Sequence, residues 1–107
     1  IWFSREYGNR HYAVARDVVG TFTGASAGIV LFQSADGLAW EPAAHPKVLG
    51  NRYTWADGST SRSPIERPAL LFDGEIPVAL YGAASDNTRR DGTYNVHIPL
   101  RSPPGAP

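Results

Sequence analysis

Short apolar segments of strand length, separated by turn dipeptides, make up most of the chain. The clearest period of two lies in residues 10–17, where Tyr12 and Val14 alternate with alanines. A Gly-Asn dipeptide precedes this segment, and that dipeptide favours the tight turn of a hairpin. Residues 1–5 and 10–17 are therefore predicted to pair as the first hairpin.

Further strands are predicted where apolar runs flank Asp-Gly turns. The predicted segments are 28–34, 38–41, 65–72, 77–83 and 94–100. Residues 42–63 contain proline and glycine without a clear period, so an irregular loop is predicted there. Residues 84–92 are polar and are predicted to form a second loop.

These elements predict an all-β fold with antiparallel strands in hairpins, because no segment has the pattern of the helix that usually connects parallel strands. A strand, an Asp-Gly turn and a second strand occur twice, with a spacing near 40 residues that is typical of propeller blades. About two blades of a partial β-propeller are therefore expected in residues 1–101. Residues 102–107 are expected to be a disordered tail.

Two blades leave large faces uncovered, and repeat architectures generally need three or more units to bury a continuous core. Missing upstream blades of the same propeller are therefore an expected partner. Residues 1–101 are then the C-terminal portion of the domain.

Composition narrows the classes of function. Ten Lys and Arg balance ten Asp and Glu, so the basic face that nucleic-acid binding requires is not expected. No apolar run approaches the roughly 18–20 residues of a membrane helix. There is no cysteine, and the three histidines lack ligand spacing, so neither a metal site nor another cofactor is predicted.

Residues 34–40 have the pattern Ser-x-Asp-Gly-x-x-Trp. Asp and Gly tolerate the backbone angles of a tight turn, and an Asp carboxylate can accept bonds from the backbone that follows it. Trp40 is expected to pack beneath the turn. The motif is therefore interpreted as structural.

Glu66 begins an apolar strand directly after a polar loop. A carboxyl group at a strand end that faces a cleft can donate a proton to a glycosidic oxygen. Arg67 can bind a substrate carboxylate or pair with Glu66. The alternative is an exposed Glu–Arg pair at a strand edge with no catalytic role.

Two motifs carry a resemblance to a known family. The 34–40 hairpin resembles the Asp box of sialidases and other propeller glycosidases. The segment Ile65-Glu66-Arg67-Pro68, with the strand, turn and strand that follow it, is similar to the one bearing the general acid in five-bladed β-propeller glycoside hydrolases of families 43 and 32. Those families have a small residue where this chain has Arg67.

The resemblance implies an extracellular or periplasmic enzyme that hydrolyses O-glycosyl bonds in a plant or microbial glycan, with Glu66 as its general acid. By position, Asp17 is the candidate supporting carboxylate; the alternative is a strand-end aspartate that bonds a turn. Tyr53 and Trp55, which precede Glu66, are expected to contact sugar rings, although buried packing is an alternative for both.

Glycoside hydrolysis needs two carboxylates across the scissile bond, so this chain alone is expected to be inactive. A second hypothesis is a carbohydrate-binding or structural β-module without catalysis, and a third is a remnant with no activity. A Glu66 side chain in a concave, aromatic-lined cleft favours the enzyme. A Glu66 side chain that is paired on an outer edge favours the module.

Overall fold

The computed structural model describes residues 1–62, 65–85 and 93–101. This part of the chain contains nine strands and no helix, arranged in three antiparallel sheets, which confirms the all-β prediction. The strands are β1 (Trp2–Ser4), β2 (Arg10–Asp17), β3 (Gly28–Ser34), β4 (Glu41–Leu49), β5 (Arg52–Thr54), β6 (Thr60–Arg62), β7 (Ile65–Asp73), β8 (Ile76–Ser85) and β9 (Thr93–Pro99).

The first sheet is a four-stranded meander in the order β1-β2-β3-β4. Strands β2 and β3 pair without interruption from His11 opposite Ser34 to Asp17 opposite Gly28. The turn between β1 and β2 has positive φ angles at the Gly-Asn dipeptide, 91° and 54°, which these two residue types tolerate best. The first predicted hairpin is confirmed.

The prediction for residues 38–63 was wrong in two respects. The strand that returns from the Asp-Gly turn starts at residue 41 rather than 38, and it continues to residue 49. The remainder of the predicted loop contains a second hairpin, β5–β6, which forms a sheet of its own. Pro42 and Pro46 misled the prediction: both lie in β4, an edge strand with an irregular register, where a missing backbone N–H costs little.

The third sheet is a meander in the order β7-β8-β9. Its edge strand β7 has a register shift between Glu66 and Ala69, and Arg67 within the bulge has a φ of 52°. Strand β8 extends to residue 85, so residues 84 and 85 of the predicted polar loop belong to a strand. Its residues 86–92 and the predicted tail 102–107 lie outside the described residues.

Two small clusters of buried apolar residues form the cores of the structure. Tyr12, Leu31 and Ala43 form the core of the first sheet, and a second core forms around Ile65 and Val96 in the third. The sheets meet where β7 contacts β2 and β3. The described residues form neither a closed barrel nor a complete propeller, so an arrangement in blades stays a prediction.

The second core depends on close packing across β7 and β8. Ile65 is 2% exposed, and its Cγ2 lies directly over Gly82 of the neighbouring strand. A Cβ atom at position 82 would overlap that methyl group. Glycine is therefore required at position 82 for space.

We expect Gly82→Ala to destabilise the protein by about 1–3 kcal/mol, because the added methyl group overpacks a buried site. Gly50→Ala is the matched control, since the nearest atom to its new methyl group is the flexible Cε of Lys47 at 3.3 Å. Urea unfolding of both variants measures the difference. Equal losses of stability would contradict the role assigned to Gly82.

Candidate functional site

The 34–40 turn is organised by the carboxylate of Asp36. Its Oδ1 accepts hydrogen bonds from the backbone N–H of Leu38 at 2.8 Å and of Ala39 at 3.0 Å, and from the Ser34 hydroxyl at 3.1 Å. The N–H of Ala39, followed by that of Leu38 and the hydroxyl of Ser34, holds the pKa of the Asp36 carboxyl below its ordinary value. The carboxylate is therefore a fixed, charged part of the turn.

The remaining bonds of the motif close the same turn. The Gly37 N–H donates to the hydroxyl oxygen of Ser34 at 2.8 Å, and the Trp40 indole N–H donates to the carbonyl of Gly37 at 3.2 Å. Ser34 is 2% exposed. These contacts agree with the structural interpretation of the motif.

Glu66 lies at the junction between the first and third sheets. Its Oε1 accepts a hydrogen bond from Nη1 of Arg16 at 3.0 Å, an ion pair that joins β7 to β2. The Glu66 side chain is 55% exposed, and that of Arg16 is 33% exposed. The carboxylate is thus reachable from solvent and held from one side by a residue of another sheet.

Arg67, which the sequence offered as a partner for Glu66, is exposed and makes no ion pair with it. The partner is Arg16, which is separated from Glu66 by 50 positions. Sequence reasoning missed Arg16 because nothing local to either residue shows that β2 and β7 meet. Arg67 instead occupies the bulge with a left-handed backbone.

Asp17, the candidate supporting carboxylate, binds the loop that follows β2. Its Oδ2 accepts bonds from the backbone N–H groups of Phe22 at 3.0 Å and Thr23 at 2.7 Å, and from the Thr23 hydroxyl at 2.8 Å. Burial acts to raise the pKa of Asp17, but the bonds from Thr23 and Phe22 outweigh it, and the pKa is lowered overall. These contacts match the alternative interpretation, a strand-end aspartate that bonds a turn.

The side chain of Asp17 also does not point toward Glu66. Adjacent residues of a strand point to opposite faces, so the Asp17 side chain leaves β2 on the face away from Arg16. Because Arg16 is the residue that contacts Glu66, the structure does not bring the two predicted carboxylates together on one face.

Tyr53 and Trp55 form an aromatic cluster with Tyr94 of β9. The ring centroids of Tyr53 and Trp55 are 5.6 Å apart in an edge-on arrangement, and those of Trp55 and Tyr94 are 6.0 Å apart. The indole N–H of Trp55 donates to the Ser61 hydroxyl at 2.7 Å, and the side chain remains 37% exposed. The bond to Ser61 therefore fixes the orientation of the Trp55 ring, while part of the ring stays open to solvent.

This aromatic cluster and Glu66 lie on opposite faces of the third sheet. Ile65 packs in the core against Tyr53 and Tyr94, and Glu66 is the next residue along β7. The structure therefore does not unite the predicted sugar-contact aromatics with the predicted acid.

A different aromatic pair shares the Glu66 face. Glu66 is opposite Ala83, and Tyr81, two residues from Ala83, projects on the same side of β8. The ring of Tyr81 is stacked on that of its cross-strand partner His97, with centroids 5.0 Å apart and planes inclined by 15°. Sequence reasoning had no signal for this pair, because a sheet face is defined only when the register is known.

Among residues 1–62, 65–85 and 93–101, no group of three or more histidine or acidic side chains is placed to hold a metal ion. The same residues contain no helix that is both long and apolar enough to cross a membrane.

No family model matches the sequence, and neither a curated protein nor a solved structure matches it. A functional proposal for this chain therefore rests on the contacts described above and on the sequence motifs at 34–40 and 65–68.

We expect Asp17→Asn to lower the melting temperature at pH 7, because a neutral amide accepts weaker bonds from the loop than a carboxylate does. The folded pKa of Asp17 is lowered, so the stabilising effect of its charge is present above the unfolded pKa of about 3.9 and is lost as the pH falls through the folded pKa. The difference between variant and wild type should therefore narrow below about pH 4.

Thermal unfolding followed by circular dichroism at pH 7 and at acid pH measures this difference. Asp73→Asn is the matched control, because Asp73 is an exposed strand-end aspartate. A difference between Asp17→Asn and wild type that stays constant over this pH range would show that the charge of Asp17 does not stabilise the loop.

Proposed function

We propose that this chain is part of a β-propeller glycoside hydrolase in which Glu66 donates a proton to the glycosidic oxygen of a bound glycan. The observation that carries the proposal is the position of Glu66: its carboxylate is half exposed at the junction of two sheets and is held at 3.0 Å by Arg16. A general acid must be accessible to the glycan whose bond it cleaves, and the Glu66 carboxylate is open to solvent at this junction.

The topology supports the blade arrangement. In the first and third sheets, strands that follow one another in sequence lie side by side, and the two sheets meet through β7. A propeller has about four to eight blades, so the proposal places the remaining blades outside these 107 residues. Those blades would also supply the second carboxylate, since Asp17 is bound to its loop. An extracellular or periplasmic location belongs to the same proposal.

The proposed reaction assigns separate roles to Glu66 and Arg16. Glu66, with its proton on the oxygen that Arg16 does not contact, gives that proton to the leaving oxygen as the bond between that oxygen and the sugar carbon breaks. A water molecule then supplies the hydroxyl group to the sugar, and its remaining proton passes to a carboxylate of the site. The bond from Arg16 uses Oε1 of Glu66. Arg16 is thus a positioning residue, which fixes the carboxyl group relative to the first sheet.

We expect the chain alone to release no sugar from chromogenic glycosides, because the second carboxylate is not provided. It should nevertheless bind cationic iminosugars, which resemble the charged transition state. Glu66→Gln should weaken that binding about 10-fold or more, since a charge-assisted contact is lost. Isothermal titration measures the affinity.

Glu6→Gln is the control for this experiment, because Glu6 is an exposed glutamate in the turn between β1 and β2. The same affinity in wild type and Glu66→Gln would count against Glu66 as the acid. Hydrolysis by the isolated chain that disappears in Glu66→Gln would show that this chain already contains the second group.

Two observations favour a second candidate function, non-catalytic carbohydrate binding. The first is that Glu66 is ion-paired with Arg16 on the edge strand β7, the arrangement that favours a module without catalysis. The second is the environment of Trp55. The exposed indole of Trp55 is fixed by Ser61 and flanked by Tyr94, on the sheet face opposite Glu66. A rigid, exposed indole offers an apolar surface on which a sugar ring can stack. This function needs neither Glu66 nor additional blades.

We expect Trp55→Ala to reduce binding to a glycan array about 10-fold or more where this function holds, because the stacking surface is removed. Trp55→Phe should retain part of the binding, and Glu66→Gln should retain all of it. Binding that is lost in Glu66→Gln but kept in Trp55→Ala would contradict the module and favour the hydrolase.

A further inference from the structure

A shallow cleft of about 260 Å³ borders the 34–40 turn of the first sheet. Four larger side chains define it: Arg10 from the start of β2, Asp36 and Trp40 from the turn, and Glu41 from the start of β4. None of them belongs to the Glu66 junction or to the aromatic cluster around Trp55.

The polar side chains of this cleft are held in place before any ligand arrives. Oδ1 of Asp36 accepts the bonds from Ser34, Leu38 and Ala39, and Oε1 of Glu41 accepts a bond from the amide nitrogen of Gln33 at 2.9 Å. Each carboxylate therefore has a second oxygen outside these bonds. The Trp40 ring is fixed through its N–H on Gly37. Such preorganisation lowers the entropic cost of binding.

The cleft combines an indole ring with hydrogen-bond donors and hydrogen-bond acceptors. Trp40 supplies apolar surface, the Arg10 guanidinium supplies donors, and the carboxylates of Asp36 and Glu41 supply acceptors. A sugar ring has matching features, namely apolar C–H faces and hydroxyl groups that both donate and accept. Two carboxylates against one guanidinium disfavour an anionic ligand.

We propose that this cleft binds one neutral pyranose ring, as a glycan-contact site separate from Glu66 and Trp55. The volume is below the roughly 300–1,000 Å³ of sites that enclose drug-sized ligands, which fits a single ring rather than an oligosaccharide. Because the cleft is shallow, a dissociation constant on the order of 1 mM is expected. The inference does not depend on the proposed hydrolase.

Backbone amide and indole N–H resonances, recorded while the chain is titrated with free sugars, test the proposal. The probes are D-glucose, D-galactose, D-xylose and D-glucuronate. We expect at least one neutral sugar to shift the signals of Gly37, Ala39 and the Trp40 indole, and glucuronate to shift them less at the same concentration.

Two variants and one control make the test specific. Arg10→Ala should weaken binding about 10-fold, because it removes the donors of the cleft. Ala39→Phe should abolish binding by filling the space, while keeping the backbone N–H that donates to Asp36. Arg52→Ala, which changes an exposed arginine of β5, should leave the affinity unchanged.

The proposal is overturned if no neutral sugar shifts these signals, if glucuronate binds more tightly, or if Arg10→Ala and Arg52→Ala behave alike. The same titration of Glu66→Gln and Trp55→Ala separates it from the proposed functions. Unchanged shifts in those two variants support an independent site, whereas loss of the shifts in either variant contradicts it.

Discussion

The contact between β2 and β7 is the constraint on which the arrangement of the molecule depends, because it joins the two larger sheets. An ion pair as exposed as Arg16–Glu66 contributes at most about 1 kcal/mol. Most of the free energy that stabilises the contact between the two sheets must therefore come from apolar packing. This packing includes the rings of Trp2 and Phe72, whose centroids are 5.4 Å apart. The ion pair then fixes the direction of Glu66 more than it stabilises the fold.

The two faces of the third sheet offer different chemistry. One face presents the Trp55 cluster without a carboxylate from β7, and the other presents Glu66 with the stacked Tyr81 and His97 rings. A sugar that stacks on Trp55 is thus separated from Glu66 by the sheet itself. In the proposed hydrolase, aromatic contacts near the acid would come from β8 and β9 rather than from the β5–β6 hairpin.

Short sequence patterns predicted those parts of the fold that depend on a few neighbouring residues. A few neighbouring residues are enough to predict the Gly-Asn and Asp-Gly turns and the strands that flank them. Strands β4 to β6 were missed because an edge strand tolerates prolines that normally indicate a break. The Arg16–Glu66 pair and the separation of Glu66 from Trp55 depend on register and on contacts between distant segments, which no local pattern contains.

The bulge in β7 connects these features. Pro68 lacks a backbone N–H, which an edge strand can accommodate, and one extra residue lies between the paired positions Glu66 and Ala69. That region includes Arg67, whose left-handed backbone costs roughly 1–2 kcal/mol in a residue that is not glycine. The backbone strain is local, but the bulge affects the rest of the strand: pairing with β8 continues from Ala69 with its register shifted by one residue. Glu66, on the other side of the bulge, is directed at Arg16 of the first sheet. The position of the proposed acid therefore depends on the contact with β2 of the first sheet and on the bulge that follows Glu66 in β7.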